Sequence, residues 1–426
     1  MKILDLTKAS TGKLFNYKKN LYIKKISIDT RTLKKGDVFV CLKNNRDGHL
    51  YIKEAIKKKA SLIILEDESF IDKKSVYFKV DDCYQFLLDY ATYIRNKKIN
   101  IPLIAVTGSV GKTTTKDLIT HLLKSKYNIL SNELSQNNHL GIPITLSKIN
   151  NKHNLIVLEV GMNHLGEIEK LSKIVKPNTA VITNIGTSHI GNLGSQKNIL
   201  KAKLEILKGN DDMDLLVNEN DKYLKKLKSV KFDFLIQDLE YNLEKTSFNI
   251  LYNDKKYLVN LSFPAVNIID NISLAVKCAL LYNIKIEDII NSLCTFKMNN
   301  SRLNIIKKDS NIIIDDSYNA SLESMKGLFK IIKNENYRKI FILGDVLEQG
   351  KYSKKTHLKI KKELKKINNK EVLTVGDEFK KLKFNSFENI ELLKEFLKCK
   401  NYQNVLFVIK GSHSMNLFEV VKFLTD

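Results

Sequence analysis

The stretch IPLIAVTGSVGKTTTKDLITHLLKSK, residues 101–126, constrains this chain more than any other. An apolar, β-branched run is cut by Gly108 and Gly111. Lys112 and three threonines then open a pattern of helical period. Strand, glycine turn and helix in that order form a phosphate cradle. The two glycines let backbone N–H groups of Ser109 and Val110 approach phosphate oxygens with no side chain in the way. Lys112 supplies a point charge. Thr113 offers a hydroxyl to Mg2+, Thr114 follows it, and the helix N-terminus adds roughly half a positive charge. Val106 stands where a longer loop would have glycine, so the loop is of the short T-G-x-x-G-K-T kind.

Around this cradle the chain alternates short β-branched runs with amphipathic ones, the pattern of an α/β protein with parallel sheets. Its 426 residues have room for about three domains at roughly 150 residues each. Residues 1–99 read as a small α/β unit with strands in DVFVCL (37–42), SLIILE (61–66) and VYFKV (76–80). The polar join RNKKINIP leads to a central unit, 100–303, with strands at 101–108, 154–161 and 179–186 and helices at 113–126, 164–175 and 271–283. Residues 222–261, rich in Tyr and Phe, suggest an antiparallel addition. A third unit, 304–426, repeats the strand–turn–helix pattern at 311–319, 339–346, 371–377 and 404–412, a second doubly wound, Rossmann-like sheet.

Composition narrows the class. The net charge is +24, which raises the question of nucleic acid. The excess is mostly lysine spread along the whole chain, with no arginine cluster and no basic run interleaved with aromatics. It reads as the drift of an AT-rich genome, and no nucleic-acid partner is expected. Five cysteines are scattered without a CxxC pair, which fits a reducing cytoplasm and no structural zinc. No apolar run approaches the ~18 residues of a membrane span, and residues 1–10 have no secretory pattern. A cytoplasmic protein is expected.

Beyond the cradle, several polar residues fall at strand ends, where open parallel sheets bind ligands. Glu159 in LEVGMNHLG ends one apolar strand, and His189 in TNIGTSHIGN follows another. A carboxylate on the edge that carries Lys112 can hold Mg2+ opposite a nucleotide. Arg302 falls at a domain junction, where it can grip phosphate or carboxylate. Asp316, Tyr318 and Asn319 follow a strand of the third unit; an Asx turn capping the next helix explains the same spacing. Lys203, from its own stretch, is one lysine among many.

Taken in order, TGSVGKTTTK, LSQNNHLGIPITL, LEVGMNHLGEI, TNIGTSHI, KAKLEI, SRLNII, DDSYNAS, LGDVLEQG and IKGSHSMNL resemble the motifs of the Mur ligases. ISIDTRTLKKGDVFVCLKNNRDGHLYIKEAI is similar to the family's UDP-binding domain. The resemblance implies three domains, holding in turn a UDP-linked substrate, ATP and an amino component. It implies ATP-dependent amide formation through an acyl phosphate, joining D-alanyl-D-alanine to UDP-N-acetylmuramoyl-tripeptide, in a chain expected to be a monomer.

By the same resemblance Thr113, Glu159 and His189 hold Mg2+, together with Lys203 as a carbamate, the lysine of the A-K-x-E-I pattern. Carbamylation needs a neutral amine, which is only ~0.04% of an ordinary lysine at pH 7. Asn271 matches an adenine-contacting asparagine, although the family's preceding histidine is missing. Arg302 and Asp316 fall to the ATP site. Asn137, Asn138, Tyr318 and Asn319 fall to the substrate, and Thr30, Arg31, Asp47 and His49 to its UDP end. His413 stands where the family usually has arginine, and Thr30 where it has serine. The ligase adding the third stem residue is disfavoured by the lack of a D-N-P-R motif. A folylpolyglutamate or cyanophycin type is disfavoured by the UDP-domain motifs, and a nucleic-acid-stimulated ATPase is the remaining different class.

Overall fold

The structure is a computed structural model and describes residues 3–17, 21, 23–43, 46–133, 136–298 and 302–426. Parts of three motifs, residues 44–45, 134–135 and 299–301, lie outside the described residues, as do residues 1–2.

The first sheet has five strands in the order Lys13–Phe15, Tyr77–Lys79, Leu62–Leu65, Val38–Val40 and Ile26–Ser27. The first pair is antiparallel and the others are parallel. The helix Cys83–Lys97 closes it. Asp82 caps that helix by accepting from the Tyr84 and Gln85 N–H groups, a typical first-turn device. Phe86, Leu87 and Tyr90 on this helix belong to the first core, whereas Ala91 belongs to the next.

The second sheet is parallel throughout, in the order Asp214–Val217, Thr179–Ile182, Leu103–Thr107, Leu155–Glu159 and Ile129–Ser131. Its central strand is buried along its length because both faces are covered. Helices Lys112–Leu123 and Ile269–Leu281 cover one face; Glu167–Val175 and Gln196–Leu204 cover the other. The antiparallel addition is a meander of Phe234–Tyr241, Thr246–Tyr252 and Lys255–Leu261.

The last sheet has six strands in the order Asn304–Lys308, Asn311–Asp315, Val405–Lys410, Arg338–Gly344, Lys370–Val375 and Asn385–Phe387, with only the first pair antiparallel. Among the described residues no helix is long and apolar enough to cross a membrane.

The long strands fall where the apolar runs suggest, each shorter by a few residues because the chain leaves the sheet at its polar turn. The run 154–161, for example, forms the strand Leu155–Glu159. The central strand of the second sheet lies between Leu155–Glu159 on one side and Thr179–Ile182 on the other, and the chain crosses from one side to the other between those two strands. The carboxyl ends of Leu103–Thr107, Leu155–Glu159 and Thr179–Ile182 therefore converge at one switch point.

Candidate active site

At that point the loop after Thr107 is held by its neighbours' backbone and amides. Asn184 accepts from the Val110 N–H through Oδ1 (3.0 Å) and donates to the Val110 carbonyl through Nδ2 (2.9 Å). The Ser109 N–H donates to the Asn184 carbonyl. Gly108 and Gly111 have φ of +148° and +82°, conformations that L side chains rarely adopt. A Cβ on Gly108 would lie 1.9 Å from Thr183 Oγ1, and one on Gly111 2.0 Å from Asn271 Nδ2. The cradle is thus pre-formed and requires both glycines. Lys112 lines the cavity and donates to the Ser109 carbonyl (3.2 Å). Burial pushes its ammonium pKa down, and the Glu159 carboxylate pulls it back up.

Thr113 donates to Glu159 Oε2 at 2.5 Å, and Asn137 donates to Glu159 Oε1 at 2.7 Å. A hydroxyl and a carboxylate in contact are the hard oxygen donors that Mg2+ takes. Among the described residues no three His, Cys, Asp or Glu side chains gather as a metal cage. The pair therefore suits a cation that brings waters and phosphate oxygens with it.

Lys203 is 1% exposed and its Nζ has no hydrogen-bond partner. Burial, then the charge of Lys112, hold its pKa well below that of an ordinary lysine; Glu159 and Glu205 act the other way. A buried amine without a partner among the described residues, near enough to feel the charges of Lys112 and Glu159, fits a group that becomes an anion on modification. The glutamate of the same motif has its own task. Glu205 accepts from the Gly166 and Glu169 N–H groups and caps the helix Glu167–Val175.

The opposite wall comes from the last sheet, whose strand ends face the cradle across a cavity of about 460 Å3. Arg302 donates to Thr113 Oγ1 (3.1 Å), and its guanidinium lies 4.1 Å from the Tyr318 ring centre. Asp316 accepts from Lys410 Nζ (2.6 Å) and from the Leu303 N–H (3.3 Å). Asn319 and Asn138 also line the cavity. Asn138 Oδ1 accepts from the Leu140 and Gly141 N–H groups, starting the helix Gly141–Leu146.

Several expected roles look different in place. Asn271 lines the cavity, but its amide donates to the Gly111 carbonyl and Thr115 Oγ1, so that group fixes the loop instead of reaching for adenine. His189 lines the cavity, and its Nδ1 lies 2.7 Å from Glu348 Oε2 of the last unit. His413 is exposed outside the cavity, 5.5 Å from the Tyr318 ring.

Thr30, Arg31, Asp47 and His49 line no part of this cavity. Thr30 donates to Glu54 (2.9 Å), and Arg31 forms a surface pair with Asp29. His49 is buried, with Nδ1 on Asp47 (2.6 Å) and Nε2 accepting from the Glu66 N–H (3.0 Å). Both ring nitrogens are engaged internally. Asn184, Lys410 and Glu348 were not singled out from sequence. Each lies within a quoted motif, at or just past a strand end, which is the one signal that marked them.

The fold and this cavity define a nucleotide-dependent enzyme of the phosphate-loop class. The Mur ligase middle domain matches residues 106–279, and the Mur ligase glutamate ligase domain matches residues 301–405. The chain belongs to the Mur ligase family, whose members are ATP-dependent ligases. It is 31% identical over 349 residues to UDP-N-acetylmuramoyl-tripeptide–D-alanyl-D-alanine ligase of Bacillus subtilis, covering 78% of this chain and 75% of that protein. The enzyme of that name from Buchnera aphidicola subsp. Baizongia pistaciae is 30% identical over 369 residues, covering 82% and 80%. A crystal structure of MurF from Acinetobacter baumannii superposes with a TM-score of 0.90 at 28% identity, over 99% of this chain and 98% of that one.

Proposed function

We propose that this chain joins D-alanyl-D-alanine to UDP-N-acetylmuramoyl-tripeptide in the cytoplasm, converting ATP to ADP and phosphate, as a step in making peptidoglycan precursors. The observation that carries the reading is the meeting, at one switch point, of the pre-formed cradle, the Thr113–Glu159 pair and the orphan amine of Lys203. The three units 1–99, 100–303 and 304–426 would take the UDP end, the nucleotide and the dipeptide in turn.

The chemistry sets a clear electrostatic task. A carboxylate must approach the γ-phosphate of a polyanion, so negative charge must be cancelled where it develops. Lys112 and the N–H groups that open its helix bind the phosphates, and Arg302, held over Tyr318, is poised to add a second cation. The tripeptide carboxylate attacks phosphorus, ADP leaves, and the dipeptide amine displaces phosphate from the acyl phosphate. Thr113 and Glu159 would hold one Mg2+, and His189 a second. Bound there, the metal supplies charge neutralisation on both sides of the transferred phosphoryl group. Lys203, neutral through burial, would add CO2. An N–C bond forms, an N–H proton leaves, and the resulting carbamate anion faces the metal site.

The test is coupled ADP release against a panel of UDP-muropeptides and D-amino-acid dipeptides. Full turnover is expected only with the UDP-tripeptide and D-alanyl-D-alanine together. Lys112→Ala should lower turnover by ~10²–10³ or more. ADP release driven by RNA and indifferent to the muropeptide would overturn the reading.

A further inference from the structure

Glu348 is a carboxylate of the last unit that contacts the central one at His189, which lines the cavity. Its Oε2 lies 2.7 Å from His189 Nδ1. Its backbone carbonyl accepts from the Gly191 N–H at 3.0 Å. A Cβ on Gly191 would sit 2.7 Å from that carbonyl oxygen, so the two chains meet backbone to backbone. Two residues further on from Gly350, Tyr352 donates to the Gly194 carbonyl at 2.5 Å.

Both partners of the contact are strained. His189 and Glu348 each have φ of +61°, the left-handed region, which costs a non-glycine residue of order 1–3 kcal/mol and persists only where surroundings enforce it. Such strain on both sides of one contact marks it as a built feature.

The chemistry of the pair is specific. A histidine that ligates a metal through one nitrogen is oriented by whatever accepts the proton of the other, and a carboxylate there also raises the ligand's basicity. Here Nδ1 faces Glu348, which leaves Nε2 as the nitrogen with a lone pair to offer. The orienting carboxylate comes from a different unit than the histidine does. His189 can therefore be held in its ligating pose only while the last unit is docked.

We propose that Glu348 is a positioning residue that couples docking of the last unit to the grip of His189 on a divalent metal. The inference rests on the metal role given to His189 above.

The experiment titrates Mn2+ into the full chain with a non-hydrolysable ATP analogue, following free Mn2+ by electron paramagnetic resonance. Wild type, Glu348→Ala and Glu348→Gln are compared, with thermal midpoints recorded for each. Glu348→Ala is expected to weaken the weaker of two Mn2+ sites by 10–100-fold while the tighter site and the midpoint hold. Glu348→Gln keeps an oxygen that accepts from Nδ1–H and should recover most of that loss. Superimposable titrations of wild type and Glu348→Ala would overturn the proposal. So would equal losses in both variants accompanied by a lowered midpoint, which is the mark of a merely structural contact. A wild-type chain with only one nucleotide-dependent Mn2+ site would instead overturn the metal role of His189 itself.

Discussion

The junction between the first and central sheets is dry, whereas the junction between the central and last sheets is dry on one side and polar on the other. At the first, the helix Cys83–Lys97 contributes to two cores at once, with Tyr90 in one and Ala91 in the next. Arg95, 0% exposed, donates to the carbonyls of Val175, Lys176, Lys98, Ile99 and Ile101. One guanidinium thus closes the carboxyl ends of two helices, Cys83–Lys97 and Glu167–Val175, where carbonyls otherwise lack partners. At the second junction, Leu243 and Val266 of the central part pack into the core of the last unit beside Leu303. The cavity side is bridged by single polar contacts: Thr187 to Glu323, Gly191 to Glu348 and Tyr352 to Gly194. The first junction is built as a fixed mount, the second as an apolar hinge with a polar jaw. Chemistry that must admit three substrates and then exclude water needs one of each.

The sharpest way to break this contrast is Arg95→Met. The substitution keeps some aliphatic volume and leaves five carbonyls without their shared cation. Burial already pushes the guanidinium pKa down to about 10, so the site is dry and those carbonyls have no easy access to water. A loss of about 3–5 kcal/mol is expected, read as a lowered denaturant midpoint with new proteolytic cleavage near residues 96–102. A variant whose midpoint stays within about 2 °C of wild type on heating would show that the mount does not depend on Arg95.

Arg95 also shows where sequence reading stops. In RNKKINIP it is one more cation in a polar join, and nothing local separates it from the exposed lysines around it. Only the approach of the helix Glu167–Val175, distant in sequence, makes it a pin. The cradle was legible because strand, glycines, Lys112 and helix are contiguous, and so were the long strands, whose burial on both faces is written as apolar runs. The short edge strands Lys13–Phe15 and Asn385–Phe387 carry too few residues to leave a period. His49 differs from Arg95 in lying within a recognisable motif. Its motif suggests a ligand contact, whereas burial and two internal hydrogen bonds engage its ring in local structure. Glu348 and Lys410 sit in motifs whose spacing says that a turn lies there, but which partner each side chain meets is decided by tertiary packing.

A second way to sharpen the contrast is Lys203→Met, which tests whether the central unit tolerates instability for the sake of the site. An unpartnered buried donor costs about 1–3 kcal/mol, so the variant should be more stable by that order while losing ligation. The sign of its pH dependence follows from linkage. The folded pKa of Lys203 is depressed, so between that value and ~10.4 the unfolded chain binds the extra proton, and stability rises with pH. In CO2-stripped buffer the wild-type denaturant midpoint should climb more steeply than that of the variant as pH rises toward ~10.4. Parallel curves would mean that the amine is not held neutral by the fold.

The smallest effect belongs to the jaw. Tyr352→Phe deletes the hydroxyl that donates to the Gly194 carbonyl and leaves the half-buried ring packed on the central core. A net hydrogen bond of this kind contributes about 0.5–1.5 kcal/mol, too little to threaten the fold. It is comparable, however, to the energy that separates docked from undocked arrangements of a unit held by a few such contacts. The change should therefore appear as a shifted population: a larger radius of gyration by small-angle scattering without nucleotide, recovering when a non-hydrolysable analogue and Mg2+ are added. The same deletion has no counterpart at the first junction, where no hydroxyl among the described residues is seen to bridge the two units. Unchanged scattering, with the denaturant midpoint lowered as far as Arg95→Met lowers it, would mean that the second junction is a fixed mount as well, and the division of labour between the two would fall.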